Sequence, residues 1–252
     1  MAKLLVRKAT KAPKKPQVTG FVVYNGPSAI DGTPIVGIVT LKTTNAKTGN
    51  MAQLWILPDN GESPVEASKS LGDSSVCGGC PHRQSLGGAC YVNLGQAPLS
   101  IYRAYKRGTY ALEMPNDALN GRYLRLGAYG DPAALPESVV ASLVAASSGH
   151  TGYTHQWKAK RFQWALEYMQ ASVDSLGDLE KLHKIKPNAG YFRVTSGDTM
   201  LDNELQCPSD THGVQCVDCR KCDGTKGAAI VIGVHGSLAS RFVEPTDIIA
   251  VA

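Results

Sequence analysis

The chain has 252 residues, of which 43% are hydrophobic and 19% are charged, and its formal net charge is +5. These proportions are typical of a globular protein that can form one large α/β domain or two small ones. No apolar run approaches the roughly 18–20 residues of a membrane span, and the apolar residues 4–6 are too few for a signal peptide, so we expect a cytoplasmic protein without a membrane partner.

The positive charge is concentrated at the N-terminus, because six basic residues precede the first acidic residue, Asp31. They are Lys3, Arg7, Lys8, Lys11, Lys14 and Lys15. Residues 1–17 lack apolar periodicity, and we expect a disordered basic arm that either contacts nucleic acid or serves only as a solvated segment.

The first half of the chain is predicted to begin with three β-strands, at residues 20–25, 34–41 and 51–57. The polar residues 43–50 end in a turn signal and are typical of a hairpin connection. Residues 58–76 are predicted to be a loop that leads into a group of cysteines, and residues 98–106 a helix.

From Arg122 onward, strand-like runs alternate with helical runs. The predicted strands are residues 123–128, 151–155, 169–173, 191–195 and 228–234, and the predicted helices are residues 136–146, 158–168 and 176–185. Such alternation indicates a parallel sheet, open or closed into a barrel. With residues 54–57 we expect about six parallel strands, in a single α/β domain over residues 18–252 that has an N-terminal β extension and Cys-rich loops.

In a parallel sheet or barrel, the active site lies at the carboxyl ends of the strands. The polar residues just after the predicted strands are Cys77, Cys80, Cys90, Tyr129, Gly130, Asp131, His155, Gln156, Asp174, Ser175, Thr195, Ser196 and His235. We therefore expect these side chains, and both groups of cysteines, to meet in one shared cavity.

The first cysteine group consists of Cys77, Cys80 and Cys90, and the chain has seven cysteines in all. In a reducing compartment, clustered cysteines with two-residue spacers are more often metal ligands than disulfides. Three cysteines fit an iron–sulfur cluster with one open iron, or a zinc ion with His82 as the fourth ligand. Three ordinary reduced cysteines remain the alternative.

The second group consists of Cys207, Cys216, Cys219 and Cys222, in a segment rich in Pro, Gly and Asp. The two-residue spacing of the last three is typical of ferredoxin-type clusters, and zinc would use the same four thiolates. A purely structural metal that staples the loop is equally consistent with the pattern.

A Gly-rich turn, residues 127–132, leaves the strand that contains Ala128. Its residues Gly127, Tyr129, Gly130 and Asp131 could line a cofactor pocket, since glycine permits close backbone approach and Asp131 could accept from a ribose hydroxyl or an amine. The alternative is a tight strand-to-helix turn.

Three further residues are candidates for catalysis. His155 stands at a strand end, where it is either a proton carrier or ligand or a packed, hydrogen-bonded side chain. Asp174 follows an apolar strand and needs a partner if buried. Arg193 is expected either to pair with Asp174 or to bind substrate.

Together, the cysteine loop Cys77–Cys90, the turn at residues 127–132 and the C-terminal cysteine run resemble the layout of radical S-adenosylmethionine enzymes. Those enzymes are partial (βα)6 barrels whose three-cysteine loop holds a four-iron cluster, and the open iron binds S-adenosylmethionine. The resemblance implies that Asp131-Pro132 takes the place of the family's Glu-Pro, and that the C-terminal cysteines hold an auxiliary cluster. The spacing here is Cys-x2-Cys-x9-Cys instead of the family's Cys-x3-Cys-x2-Cys, and Tyr91 follows the last cysteine instead of preceding it.

The chain is also similar, over residues 20–236, to uncharacterised bacteriophage proteins with a Gly-Ala-Cys-Tyr loop and a Gly-x-Tyr-Gly-Asp-Pro turn. That similarity implies a phage origin and hence the host cytoplasm.

The sequence therefore predicts a radical-type iron–sulfur enzyme that acts on a nucleotide, a nucleic acid or a small metabolite. Two alternatives stay open: a non-enzymatic, metal-stapled (zinc or iron–sulfur) phage protein that binds nucleic acid through its arm, and a zinc-bearing barrel that exchanges or modifies bases.

Overall fold

The computed structural model describes residues 19–197 and 199–249, so the predicted arm at residues 1–17 lies outside the described residues. The strands are β1 (Gly20–Pro27), β2 (Pro34–Thr40), β3 (Ala52–Pro58), β4 (Tyr123–Tyr129), β5 (Gly149–Thr151), β6 (Tyr153–Thr154), β7 (Gln170–Ser172), β8 (Tyr191–Thr195), β9 (Leu205–Gln206) and β10 (Ala229–Gly233). The α-helices are α1 (Pro64–Ser70), α2 (Ser74–Cys77), α3 (Ala97–Lys106), α4 (Glu137–Ala146), α5 (Leu176–Ile185), α6 (Pro208–Thr211), α7 (Cys216–Cys219) and α8 (Thr246–Ile249). Short 3₁₀ helices cover Gln84–Leu86, Pro132–Ala134, Gln156–Lys158, Lys160–Glu167 and Ala239–Arg241.

The fold is α/β, with one mixed sheet and one parallel sheet. The mixed sheet has the order β1-β2-β3-β4-β5, and the parallel sheet has the order β6-β7-β8-β10-β9. Strands β1, β2 and β3 pair antiparallel, which confirms the predicted β extension and its hairpin connection. From β3 onward every pairing is parallel.

The two sheets meet along one stretch of chain, because only Gly152 separates β5 from β6. The carbonyl of Gly152 accepts from the amide of Gln170 at 3.0 Å, and its own amide donates to the carbonyl of Cys222 at 2.9 Å. Across this junction β3, β4, β5–β6, β7, β8 and β10 are parallel neighbours in chain order, which agrees with the predicted set of about six.

The core lies on both sides of the mixed sheet. Strand β2 is buried at every position after Pro34, as expected for a Val- and Ile-rich strand covered on both faces. Ile35, Ile38, Leu54 and Leu124 are fully buried, and each such side chain contributes about 1.5–3 kcal/mol through removal from water. A smaller apolar cluster under the parallel sheet contains Trp157, Leu182 and Tyr191.

The prediction of a loop before the first cysteine group was wrong. Residues 58–76, predicted to be loop, contain α1 and α2. Helix α1 begins with a capping box, in which the amide of Glu66 donates to Ser63 Oγ at 3.3 Å and the amide of Ser63 donates to the Glu66 carboxylate at 2.8 Å. The helix predicted at residues 158–168 is present as a 3₁₀ helix, Lys160–Glu167, in which Phe162, Ala165 and Leu166 are buried.

None of the helices within residues 19–197 and 199–249 combines the length and the apolar character needed to cross a membrane.

Candidate functional site

Both cysteine groups line one cavity of about 240 Å³ at the carboxyl ends of the parallel strands. Its wall contains the three cysteines of the first group, Cys77, Cys80 and Cys90, together with Cys207 and Cys216 of the second. The wall also contains Gly127, Tyr129, Gly130, Asp131, His82, His155, Asp174 and His235. The predicted convergence on one shared cavity is confirmed for these residues, whereas the cavity wall does not include Gln156, Ser175, Thr195, Ser196, Cys219 and Cys222.

The loop of the first cysteine group is shaped by a buried carboxylate. Asp73 precedes α2 and accepts hydrogen bonds from Arg83 Nη1 at 3.0 Å and from Ser85 Oγ at 2.7 Å. The amide of Cys90 donates to the carbonyl of His82 at 2.9 Å, which brings the third cysteine back towards the first two. The long x9 spacing thus still places the three thiols around one part of the cavity.

Gln156 connects this loop to the neighbouring strands. Its Nε2 donates to the carbonyl of Cys77 at 3.1 Å and to Asp131 Oδ2 at 3.0 Å, while its Oε1 accepts from the amide of Gly79 at 3.2 Å. Gln156 is buried, so each of these bonds is protected from competition by water.

Asp131 is a buried carboxylate that accepts three hydrogen bonds from the protein. Its Oδ1 accepts from the amide of Ala133 at 3.0 Å, and its Oδ2 accepts from the amide of His155 at 2.8 Å as well as from Gln156. Three of about four acceptor positions of a carboxylate are thereby used. Asp131 therefore holds the cavity wall in place, and at most one position remains for a bound ligand.

The turn after β4 requires glycine at Gly130. Its φ is +83°, and a Cβ there would lie 2.7 Å from the carbonyl oxygen of Ile56 on β3. In the cysteine loop, Gly78 has φ +53°, and a Cβ would lie 2.3 Å from Gln156 Oε1. Both glycines allow backbone to approach its neighbour more closely than any other residue would.

The second cysteine group is held by the β2–β3 connection and by β10. The amide of Cys216 donates to the carbonyl of Lys47 at 2.9 Å, and the amide of Cys207 donates to the carbonyl of Val231 at 2.8 Å. Lys47 Nζ also pairs with Asp210 at 2.9 Å. These contacts bring the C-terminal cysteine segment over the carboxyl ends of the strands.

The cysteines of both groups are half-buried, and within each group the thiols lie close enough to affect one another's charge. Burial raises the pKa of the Cys77 thiol well above its usual value, and the charges of Cys80 and Cys90 raise it further. Burial likewise raises the pKa of Cys90 to about 11 and that of Cys222 to about 12. Thiolates in this setting need a cation, because burial and mutual repulsion both favour the neutral thiol.

The spacing of the sulfurs bears on which metal fits. Among the described residues, no three cysteine sulfurs lie within 4.8 Å of one another. A single tetrahedral zinc ion, with Zn–S bonds of about 2.3 Å, would hold its sulfurs about 3.8 Å apart. In any three of the cysteines, at least one pair of sulfurs is therefore farther apart than in such a zinc site.

Tyr129 adds a further observation about the first cysteine group. Its hydroxyl is buried and has only the Cys77 thiol as a polar neighbour, without a well-formed hydrogen bond among the described residues, although a buried hydroxyl normally has one. Cys77 is close enough to contribute to the raised pKa of this phenol, after burial itself. A polar group bound between the cysteines and Tyr129 would satisfy the hydroxyl.

His155 and Asp174, two of the predicted catalytic residues, are in contact in the cavity wall. His155 Nε2 lies 3.2 Å from Asp174 Oδ1, and Lys158 Nζ lies 3.0 Å from Asp174 Oδ2. Burial lowers the pKa of His155, but Cys80 and Asp174 raise it, with a net shift well above the usual value. Burial raises the pKa of Asp174, but hydrogen bonds from His155 and His82 and the charge of Lys158 lower it more, so the carboxylate stays ionised.

Arg193, the third predicted catalytic residue, lies elsewhere and does not pair with Asp174. It is 1% exposed and forms ion pairs with Glu204 at 2.6 Å and Glu244 at 2.9 Å. The reason is the two-residue alternation of β8, which places Phe192 and Val194 in the cavity wall and Arg193 on the opposite face. The expected pairing with Asp174 was wrong.

Two residues of the site were not singled out from the sequence. Arg125 lines the cavity between the cysteine groups, and its Nη2 donates to the hydroxyl of Tyr91. The alternation of β4 carries the signal, because Leu124 and Leu126 are buried in the core and Arg125 lies between them. Lys158, in contrast, belongs to a short 3₁₀ helix and has no comparable pattern.

Comparisons with known proteins add no relative: no protein-family model, no curated protein and no solved structure matches this chain.

Proposed function

We propose that the protein is an iron–sulfur enzyme of the radical S-adenosylmethionine type that acts on a nucleotide, a nucleic acid or a small metabolite. The observation that carries the proposal is the single cavity shared by two cysteine groups at the carboxyl ends of parallel strands. A structural metal has no need of that location, whereas active sites of parallel α/β proteins lie there.

The proposed scaffold is a partial (βα)6 barrel formed by β3, β4, β5–β6, β7, β8 and β10. Supporting it is the order of these strands, which are parallel neighbours in the sequence order of a barrel. The proposed cluster loop follows the first of them, β3, and the Gly-rich turn follows the second, β4.

Cys77, Cys80 and Cys90 would hold the catalytic cluster. The donor set fits, because three half-buried thiols line one part of the cavity and would need a cation to ionise there. The hydroxyl of Tyr129 lies beside Cys77 and would donate a hydrogen bond to a cluster or to its ligand. Cys207, Cys216, Cys219 and Cys222 would hold a second, auxiliary cluster.

Gly127, Tyr129, Gly130 and Asp131 would form the wall of the S-adenosylmethionine pocket. When bound, the cluster and S-adenosylmethionine supply the radical chemistry, and the protein supplies position and exclusion of water. Gln156 keeps the cysteine loop and this wall in register through its bonds to Cys77, Gly79 and Asp131. His155 and Asp174, on the cavity wall, would face the substrate.

The first experiment is a metal analysis of protein purified without oxygen. The proposal predicts a brown protein that contains iron and acid-labile sulfide in equal amounts. Replacing Cys77, Cys80 and Cys90 by Ser together should remove the iron and sulfide of one cluster. The double variant Cys216→Ser, Cys219→Ser should remove the iron and sulfide of the other. Ser209→Ala, a change in the same cavity wall that removes no thiol, should leave both contents unchanged.

A colourless protein that contains zinc and no sulfide would overturn the proposal. Such a result would favour the metal-stapled nucleic-acid-binding protein, whose support is the run of basic residues before Asp31. In that case deletion of residues 1–17 should weaken binding to nucleic acid and flatten its dependence on salt.

A further inference from the structure

We infer that His82, His155 and Asp174 form a binding site for one divalent metal ion, beside the first cysteine group and without a cysteine ligand. One ligand atom from each residue lies within 4.8 Å of the other two, and among the described residues these three form the one such group of histidine, cysteine and carboxylate side chains. Two imidazoles and one carboxylate are a ligand set that zinc and ferrous iron use, with further positions left open.

The distances between the ligand atoms fit a metal better than a hydrogen-bonded trio. Asp174 Oδ1 lies 3.2 Å from His155 Nε2 and 3.4 Å from His82 Nε2. Ligands held tetrahedrally at about 2.0–2.1 Å from a zinc ion are about 3.3–3.4 Å apart. Both nitrogens lie next to the same oxygen, and the 3.4 Å separation is long for a hydrogen bond but equals the separation expected between two zinc ligands.

The surroundings of Asp174 resemble the outer contacts that orient metal ligands. Lys158 Nζ holds the second carboxylate oxygen, Oδ2, at 3.0 Å, which leaves Oδ1 facing the two histidines. Asp178 in turn holds Lys158 Nζ at 2.6 Å and accepts from the amide of Asp174 at 3.0 Å. Outer partners of this kind fix the orientation of a ligating carboxylate and commonly affect affinity about 10–100-fold.

The charge around the three ligands and their exposure to the cavity also suit a bound metal ion. Before the histidines are counted, Asp174, Asp178 and Lys158 sum to one negative charge, which a divalent cation would offset. The side chains of His82, His155 and Asp174 are 22%, 14% and 19% exposed, so an ion and a small ligand can reach them. His82 and Asp174 border both the shared cavity and a neighbouring one of about 200 Å³ that Phe242 helps to line.

The ion would keep open coordination positions towards the shared cavity. Zinc and ferrous iron in such positions take oxygen ligands, so the site would hold a phosphate, carboxylate or hydroxyl group of a small molecule in the cavity. This inference does not depend on the cysteines holding a cluster, because none of its ligands is a cysteine.

The test uses the full chain purified without oxygen, equilibrated with Zn²⁺ and then dialysed. The expected result is one zinc ion per chain that is not accompanied by sulfide. Its X-ray absorption should show nitrogen and oxygen ligands at about 2.0–2.2 Å instead of sulfur at about 2.3 Å. His82→Ala and Asp174→Asn should each lose this zinc while the contents of iron and sulfide stay at the wild-type level.

Two further variants keep the result interpretable if a ligand variant folds poorly. Lys158→Met removes no ligand and should weaken zinc binding about 10–100-fold. His183→Ala removes an exposed histidine of α5 and should leave zinc binding unchanged. Zinc bound through sulfur, or the same zinc content in His82→Ala and Asp174→Asn as in the wild type, would overturn the inference.

Discussion

At the scale of single residues, Gln156 is the side chain that ties the cysteine loop to the rest of the site. It bonds the carbonyl of Cys77 and the amide of Gly79 in one loop and the carboxylate of Asp131 in the turn after β4. The positions of the first two cysteines therefore depend on an amide group that binds no metal itself.

Replacing Gln156 by Ala should leave the Gly79 amide without a partner and remove one of the two hydrogen bonds that Asp131 Oδ2 accepts. We expect a loss of about 1–3 kcal/mol in the free energy of unfolding, since buried polar groups are left unsatisfied. The cluster content after purification should fall as well. Urea unfolding and iron analysis check both results, with the exposed Gln96→Ala as the control. Unchanged stability and iron content in Gln156→Ala would contradict this role.

Arg193 has a structural role on the opposite face of β8, and Glu244 is one of its partners. Burial raises the pKa of Glu244, but hydrogen bonds from Ser196, Thr199 and Thr195 lower it more, so the net pKa lies below 4.5. A carboxyl whose folded pKa is depressed contributes stability above its unfolded pKa, and this contribution is lost as the pH falls through the folded pKa.

The melting temperature should therefore fall more steeply below about pH 4.5 in the wild type than in Glu244→Gln, which cannot titrate at this position. The measurement is thermal unfolding between pH 3 and pH 7 by circular dichroism. Parallel curves for the two proteins across that range would show that Glu244 contributes no pH-dependent stability.

At the scale of elements, the turn after β4 forms the cavity wall because Gly130 lets it lie directly against β3. We predict that Gly130→Ala destabilises the fold through two effects, the left-handed backbone, which costs about 1–3 kcal/mol in a non-glycine residue, and the clash with the Ile56 carbonyl. Gly32→Ala is the matched control, because Gly32 has a similar φ of +81° and no atom within 4 Å of the added Cβ.

The difference between the two variants in urea unfolding isolates the clash from the backbone strain. Gly130→Ala should be the less stable of the two and should retain less of the cluster. If the two substitutions cost the same free energy, close packing of this turn on β3 is not what requires glycine.

Some strands and helices could be predicted from the sequence alone, and others could not. The parallel strands and α5 follow from β-branched runs and helical periodicity, and α5 was predicted at its observed bounds. Helix α1 was missed although Ser63 and Glu66 have the spacing of a capping box, because the helix is only seven residues long. Arg193 was misassigned because its charge was weighed without the alternation of β8, which places it away from the cavity.

At the scale of the whole molecule, the central feature is the approach of two cysteine groups that are more than a hundred residues apart in the chain. Their meeting could be predicted from topology, because the carboxyl ends of parallel strands share one edge. The contacts that bring them together could not be predicted. The ion pair of Lys47 with Asp210 and the hydrogen bond of Gly152 with Cys222 depend on loop geometry, which leaves no periodic pattern in the sequence.

The most direct test of the account is electron paramagnetic resonance of the anaerobically purified, chemically reduced protein, with and without S-adenosylmethionine. If the cluster of Cys77, Cys80 and Cys90 has an open iron facing the pocket of Gly127 to Asp131, the added molecule should change the spectrum of that cluster. The change should vanish when the three cysteines are replaced by Ser and persist in Cys216→Ser. Identical spectra before and after addition, in protein that contains iron and sulfide, would contradict the account.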